Sequence, residues 1–552
     1  MTSHLTAEER ALGQRNAQVA MGSTRRDFLK AVAVLPAAGA FYFGYEQMGG
    51  KKPVRAAIIG TGDEGCQAMI RSHNRNYLDF IGFCDIRPTQ IERARKEFLD
   101  HKDPTDGKTK DYSKADVDSL RFYPSYKEML ADPDVELVVI ALPLFLHAPV
   151  AIEAMKAGKH VFCEKLMART VTQCKEMVRT ARETNKLLGI GHQRHYSTLY
   201  DNANALVQSG QLGDIRHIRA LWHRNNAVPI VKRDKAGNPV RSKDGGWEYE
   251  VDENGHIRYW DSWRRDIPAE DISIDLVKTR VLDNPAYGYD SIDQLIRWRL
   301  YNKTGAGLMA ELGSHQLDAV SIFLGKKHPK AVTGVGGTYF YKDGREVDDH
   351  VFTMFEFPGQ DPRESVVVTY SSINTNAFEN YGEQILGSRA TLIVEAEKDI
   401  YLFKERDRNF PNAGSSPTST SITVETKGGK AVVEASATWG GPAGATEAQA
   451  LGALASNNVS RGYREELEHF AFCIRHADPA NFYADLGKEQ KRGEVSLIPR
   501  CHGEVALADA VIALTSNIAM QTGQRIEFDE RWFDYKSDEA PEATVGRLAQ
   551  RG

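Results

Sequence analysis

Cysteine is scarce in this chain. There are six among 552 residues, at positions 66, 84, 163, 174, 473 and 501, with no Cys-x-x-Cys pair. Such spacing excludes a disulfide scaffold and the usual zinc and c-type haem sites, so no metal centre is expected. An excess of charge of one sign is also missing. Seventy Lys and Arg side chains face 75 Asp and Glu, a formal net charge of −5, which argues against a surface built to follow a nucleic-acid backbone. No run approaches the roughly 20 apolar residues of a stable membrane span. What remains is a chain 41% hydrophobic and 26% charged, the balance of a globular protein with a sizeable core. At roughly 150 residues per domain the length allows three or four units, and a large two-domain enzyme also fits.

Near the amino terminus, Thr24-Arg25-Arg26-Asp27-Phe28-Leu29-Lys30 precedes an uncharged stretch, residues 31–45, that contains the small residues Ala38-Gly39-Ala40. A basic pair ahead of a short, moderately apolar run has the layout of an export signal. It resembles a bacterial twin-arginine signal, which implies passage of a folded protein through the twin-arginine machinery to the periplasm. The other reading is a retained basic arm laid against a neighbouring subunit. Residues 1–50 are assigned to this signal or arm.

From residue 51 to 195 the pattern is that of a nucleotide-binding half. An apolar strand, Val54 to Ile59, runs into Gly60-Thr61-Gly62-Asp63-Glu64-Gly65 and then a helix, and a second strand ends at Asp85. The glycines suit a tight turn (Gly60), room for a pyrophosphate (Gly62) and close helix–strand packing (Gly65), with the helix amino terminus facing the phosphate charge. Asp85 suits the adenosine ribose and favours NAD, while Arg87 leaves NADP open. Further strands at 135–142, 159–165 and 187–191 alternate with helices. Ligands of parallel sheets bind beyond the strand carboxyl ends, which puts Pro143, His147, Glu164, Lys165 and Gln193 where they can meet the dinucleotide. Residues 101–120 read as a surface insertion.

After residue 195 the rhythm changes. Strand-like alternation at 215–223, 331–341, 350–357 and 364–372 predicts an α+β domain, residues 196–500, with a large, open, mostly antiparallel sheet. Residues 247–283 read as an insertion beside the cleft and 410–460 as loop. Helical periodicity at 463–473 and 501–522 predicts helices that return to the first half, the last opening a carboxy-terminal unit at 501–552. The fold class is therefore α/β: a Rossmann-type parallel sheet followed by this second domain.

Four separated segments, AAIIGTGDEG at 56–65, HVFCEKL at 160–166, GHQRHYS at 191–197 and GAGLMAELGSHQLD at 305–318, together resemble the glucose–fructose oxidoreductase / inositol dehydrogenase (Gfo/Idh/MocA) family. The resemblance runs from about Val54 to Trp532. It implies an oxidoreductase acting on a sugar, glycoside or cyclitol and a homo-oligomer formed through the second-domain sheet. Two departures stand out. The usual Glu-Lys-Pro is Glu164-Lys165-Leu166, which predicts a looser loop without the fixed φ of proline. The usual Asp-xxx-His pair is Glu311 and His315.

Within that frame Lys165 suits polarisation of a substrate oxygen, and His315 suits removal of its proton. Glu311, four residues earlier, would share a helix face with His315 and hold a hydroxyl or assist proton removal. Arg194, His195, Tyr196, Trp298 and Arg299 are candidate substrate readers. In a compartment with little free nucleotide, a tightly held, recycled cofactor fits. Three readings stay open: hydride transfer to or from a secondary alcohol, glycoside cleavage through transient oxidation with elimination and re-reduction, and a cofactor-stabilised binding protein without catalysis.

Overall fold

The computed structural model describes residues 1–24, 43, 45, 48, 50–104, 106–272, 287–359, 361, 363–405, 422–427, 430–435, 461–488 and 495–543. The Arg25-Arg26 pair, the Ala38-Gly39-Ala40 run, most of the stretch expected to be loop at 410–460 and the end of the 247–283 insertion lie outside them.

Six parallel strands form the first sheet: β1 (Val54–Ile59), β2 (Leu78–Cys84), β3 (Arg121–Phe122), β4 (Leu137–Ile140), β5 (His160–Glu164) and β6 (Leu188–Gly191), in the order β3-β2-β1-β4-β5-β6. Every side chain of β4 and β5 is buried, as expected where helices cover both faces of a parallel sheet. The order reverses at β1 and β4, and this switch point opens the crevice for a ligand. Residues 101–120, read as a surface insertion, are mostly exposed but anchor to the core at a few positions. His101 and Tyr112 are buried, and Tyr112 lies 2.8 Å from a ring nitrogen of buried His73.

In the second domain, β7 (Ile215–His223) is followed by a short pair, β8 (Ala227–Pro229) and β9 (Tyr259–Asp261), and then by β10 (Ala331–Gly337), β11 (His350–Pro358), β12 (Ser365–Ile373), β13 (Tyr381–Gly387), β14 (Ala390–Glu395) and β15 (Asp399–Lys404). A separate hairpin, β16 (Ile422–Lys427) and β17 (Lys430–Ala435), falls in the stretch expected to be loop; β18 (Ile526–Glu527) closes the large sheet, whose order is β15-β14-β13-β7-β12-β11-β10-β18. Only β7 and β12 pair in parallel, so the sheet is mixed and largely antiparallel. Alternate residues of β12 are buried, the mark of one face packed and one open.

Two helices join the halves. Tyr463–His476 packs on β1, β2 and β6, and Gly503–Thr522 packs between β10 and the helix Val171–Glu183. Gly503–Thr522 has the length and apolarity of a membrane span, but most of it is buried inside the protein. At the amino terminus, the helix Ala7–Thr24 lies along β15, and Met1 is buried with Leu221 and Ile393. All six cysteines are free and buried. Burial raises the Cys66 thiol to about 12 and pushes the other five up as well.

Candidate active site

The loop after β1 is shaped by steric necessity at two glycines. Gly60 has φ +89°, and a Cβ there would stand 2.3 Å from the Ala141 carbonyl oxygen; one on Gly65 would stand 2.1 Å from that of Gly60. Neither position tolerates a side chain. Gly62 differs, because nothing lies within 4 Å of its Cβ position. It leaves an open cradle over the helical turn Glu64–Ile70, on the wall of a cavity that Asp85, Glu164 and Lys165 also line. A second sign of an absent ligand sits across that cavity. Glu164 Oε1 is buried without a hydrogen-bond partner, and burial together with Glu64 pushes its pKa up to about 8. Glycine cradle and orphan carboxyl both fit a dinucleotide. Residues 60–65 would take its pyrophosphate and Asp85 its adenosine ribose.

The remaining residues expected to meet the cofactor are distributed unevenly. Asp85 lines the cavity and accepts the N–H groups of Thr61 and Arg87, each at 2.8 Å; burial still raises its pKa. Thr61 is fully buried and its hydroxyl donates to the Gln90 carbonyl at 3.0 Å. Asp63 faces Arg93 and Arg265, which overcome burial and lower its pKa to about 2. Pro143, Glu64 and Arg87 line the cavity. Gln193 does not; its amide is buried, 3.4 Å from Glu397.

Lys165 begins the loop after β5. The Lys165–Leu166 peptide bond is cis. The looser loop expected without proline is not found, because Leu166 is buried and its carbonyl lies 2.8 Å from a ring nitrogen of His147. The other His147 nitrogen lies 2.8 Å from the Leu142 carbonyl, tying the β4 and β5 loops together. From this anchored loop, Lys165 Nζ donates to the Glu311 carbonyl oxygen at 2.9 Å, across the domain boundary.

Glu311 and His315 do not share a face in the simple way a uniform α-helix predicts. Met309–Gly313 is a π-helical turn that runs into the α-helix Ser314–Phe323, and the wider turn shifts the i, i+4 alignment. The Glu311 side chain reaches the cavity wall beside Lys165, Trp298 and Arg299. It accepts Arg299 Nε at 2.8 Å. Burial alone would raise its pKa, but Arg299 and Lys165 hold it below the usual range. His315 stands behind this wall with its ring against Trp222, centroids 5.6 Å apart. Burial, with Lys165 and Arg194 nearby, keeps it well below the ordinary histidine pKa and therefore neutral.

Arg194, His195 and Tyr196, expected as substrate readers, are consumed by the interior. Arg194 donates to Glu383 at 2.9 Å, to Glu397 at 3.0 and 3.1 Å and to the His315 carbonyl at 2.6 Å. His195 lies 2.7 Å from Asp318, which also pairs with Lys326 at 2.8 Å. Tyr196 lies 2.8 Å from a His469 nitrogen. Residues following a strand carboxyl end point inward here because the second domain closes over them. Trp298 and Arg299 do reach the cavity, with the guanidinium 4.3 Å over the indole.

Sequence reasoning missed two residues just past the 247–283 insertion, which it had placed beside the cleft. Tyr287 and Tyr289 line the cavity, and the aromatic pair around Gly288 was the available signal. Arg224 stacks 4.5 Å over Trp263 with Nη2 buried and unpartnered. Asp261 roots the insertion on the second domain by pairing with buried Arg345 at 3.1 Å. Asp271 crosses to the first domain, where it binds Arg87 and Thr89.

A parallel sheet with a glycine-rich loop faces a mixed-sheet domain that brings a carboxylate to a lysine, the two-domain arrangement of an NAD(P)-binding oxidoreductase fold. The chain resembles the Gfo/Idh/MocA oxidoreductases in two stretches: residues 54–192 match the model of the oxidoreductase family with an NAD-binding Rossmann fold, and residues 282–393 match the GFO/IDH/MocA C-terminal domain. Among curated proteins, the chain is 29% identical over 169 residues to glycosyl hydrolase family 109 protein 1 of Shewanella sp. (strain MR-4) and 28% identical over 169 residues to an alpha-N-acetylgalactosaminidase of Shewanella oneidensis. Each match covers 31% of this chain and 35% of the relative, so the chain spans about a third of the length of these relatives. Among solved structures, the WlbA dehydrogenase of Bordetella pertussis, in complex with NADH and UDP-GlcNAcA, superposes with a TM-score of 0.53 at 15% identity, covering 87% of this chain and 99% of that one. An inositol dehydrogenase homologue of Azotobacter vinelandii, complexed with NADH and myo-inositol, gives 0.51 at 15% identity, covering 86% and 98%. At such identities the likeness is one of fold.

Proposed function

We propose that the protein is an NAD(P)-dependent oxidoreductase that moves hydride between a nicotinamide cofactor and a secondary hydroxyl of a sugar, glycoside or cyclitol, with the cofactor held tightly and reused in place. The observation that carries this reading is the meeting of Lys165, Glu311 and Arg299 on the wall of the cavity that the glycine loop lines. When bound, the nicotinamide supplies the hydride acceptor or donor. Lys165 offers an ammonium donor to the substrate oxygen and stabilises charge growing there. The hydroxyl proton falls to Glu311, the ionised acceptor on the cavity wall, because His315 stands behind that wall against Trp222. Arg299 keeps Glu311 ionised, and Trp298 offers a flat face to a sugar ring.

A second reading, glycoside cleavage through transient oxidation, elimination and re-reduction, is favoured by the match to the glycosyl hydrolase family 109 relatives. One experiment separates the readings: purified protein is incubated with a panel of glycosides and cyclitols deuterated at ring carbons, while nicotinamide absorbance, free sugar and label are followed. Transfer of label to a second sugar or to the nicotinamide, with no glycoside cleaved, supports the oxidoreductase. Release of sugar with label loss and no net reduction supports the hydrolase. Retention of label throughout the panel refutes both and leaves a binding protein.

Export through the twin-arginine route to the periplasm rests on residues 24–40, and the packing of Ala7–Thr24 on β15 favours the retained arm instead. Fractionation of cells expressing the chain and its Arg25→Lys/Arg26→Lys variant, with amino-terminal sequencing, decides between them. Assembly through the second-domain sheet is supported by outward-facing apolar side chains, among them the cross-strand partners Val335 and Phe352, 61% and 42% exposed. Light scattering on a Val335→Glu/Phe352→Glu variant tests it; an unchanged mass refutes this face as the interface.

A further inference from the structure

Arg87 stands where a guanidinium ordinarily discriminates between the two nicotinamide dinucleotides. It follows β2 by three residues, lines the cavity beside Asp85, and would be available to the 2′-phosphate that distinguishes NADP. Its charge is already committed. Nε and Nη2 donate to Asp271 Oδ2 at 3.0 and 2.8 Å. The same carboxylate accepts the Thr89 hydroxyl at 2.8 Å through Oδ2 and the Thr89 N–H at 3.1 Å through Oδ1. Asp271 has 0% side-chain exposure against 20% for Arg87, so the pair is screened little by water. Asp271 comes from the second-domain insertion, 184 residues along the chain, and that insertion is rooted through Asp261 and Arg345 on its own domain.

We infer that Asp271 is a specificity-determining residue that makes the site select NAD over NADP by occupying Arg87. The inference rests on the dinucleotide reading above and deepens it. The charges linked by hydrogen bonds at the carboxyl end of β2 are Asp85, Arg87 and Asp271, a formal sum of −1. A 2′-phosphate carries about −1.5 to −2 charge at neutral pH and would enter a site whose cation is neutralised and whose surplus is negative. The 2′-hydroxyl of NAD brings no charge and needs only an acceptor. Removing the Asp271 charge while keeping its shape would bring the sum to zero and free the guanidinium for the phosphate.

The test uses full-length protein stripped of nucleotide on activated charcoal and titrated calorimetrically with NAD⁺ and NADP⁺. Wild type is expected to prefer NAD⁺. Asp271→Asn is expected to shift the ratio of dissociation constants toward NADP⁺ by about tenfold or more, and adding Arg87→Ala is expected to cancel that shift. That double variant, which keeps the formal sum at −1, is expected to bind NADP⁺ within about threefold of wild type. A tenfold loss of NADP⁺ affinity in the double variant would overturn the inference, since Arg87 would then be reading the phosphate in the wild type. An unchanged ratio in a folded Asp271→Asn protein would overturn it too. Failure of wild type to bind either nucleotide is a different result and removes the cofactor reading itself.

Discussion

Replacing Arg194 by methionine takes away the guanidinium that faces both Glu383 and Glu397 in the interior beneath His315. The effect should depend on pH in a way that identifies its origin. Burial pushes Glu383 up to about 7, with Arg194 already pulling it down; its unfolded value is near 4.5. A folded pKa above the unfolded one means that the native state holds the extra proton. Stability is therefore greatest below about pH 4.5 and declines as pH rises toward 7. At about 1.4 kcal/mol per unit, that decline is on the order of 3 kcal/mol in the wild type. Without Arg194 the decline continues to higher pH. At pH 8, where Glu383 is ionised in the wild type, breaking the buried pair should cost about 3–5 kcal/mol. At pH 5 Glu383 is protonated, Glu397 keeps Arg461 at 3.7 Å, and about 1–2 kcal/mol should be lost. Urea denaturation of wild type and Arg194→Met at the two pH values measures the difference. Equal destabilisation at both would refute the reasoning, and lost turnover with undiminished stability would return Arg194 to the role of substrate reader.

Lys165→Ala is expected to lower kcat about 10²- to 10³-fold, as for loss of a donor at a developing oxyanion, while nucleotide binding measured by calorimetry persists; near-normal turnover refutes the assignment. Because burial and its cationic neighbours hold His315 well below its ordinary pKa, the pH–rate profile should show no His315 inflection near 6.5. Such an inflection, if abolished by His315→Ala, would contradict the burial argument. Glu164→Gln removes a carboxyl whose pKa lies at about 8. Below that pH it should change nucleotide affinity by less than about threefold and above it more, since only then does the substitution remove a charge; a uniform effect from pH 6 to 9 counts against a buried neutral acid.

The first sheet was legible because fully buried strands announce themselves as short apolar runs, and because Gly60 and Gly65 stand where backbone contact forbids any side chain. The second sheet was legible through alternation, visible in β12 down to single residues. Two things were not. A π-helical turn leaves no trace in a spacing of four, so Glu311 and His315 read as neighbours on one face when only the first reaches the cavity. Long-range ion pairs leave no period either. Arg194 follows a strand end, as a ligand-reading residue would, while the carboxylates that claim it lie 189 and 203 residues away. Asp271 was hidden in the same manner, inside a stretch whose aromatics and charges follow no repeat.

The six sequestered thiols bear on the export proposed above. A polypeptide threaded linearly into an oxidising compartment would present all six to oxidants, with many wrong partners to choose from. Once folded, it offers none of them to oxidant, and their suppressed ionisation removes the thiolate that would attack. Maturation ahead of transport would therefore double as chemical protection, with no disulfide needed and no reductase to maintain the product.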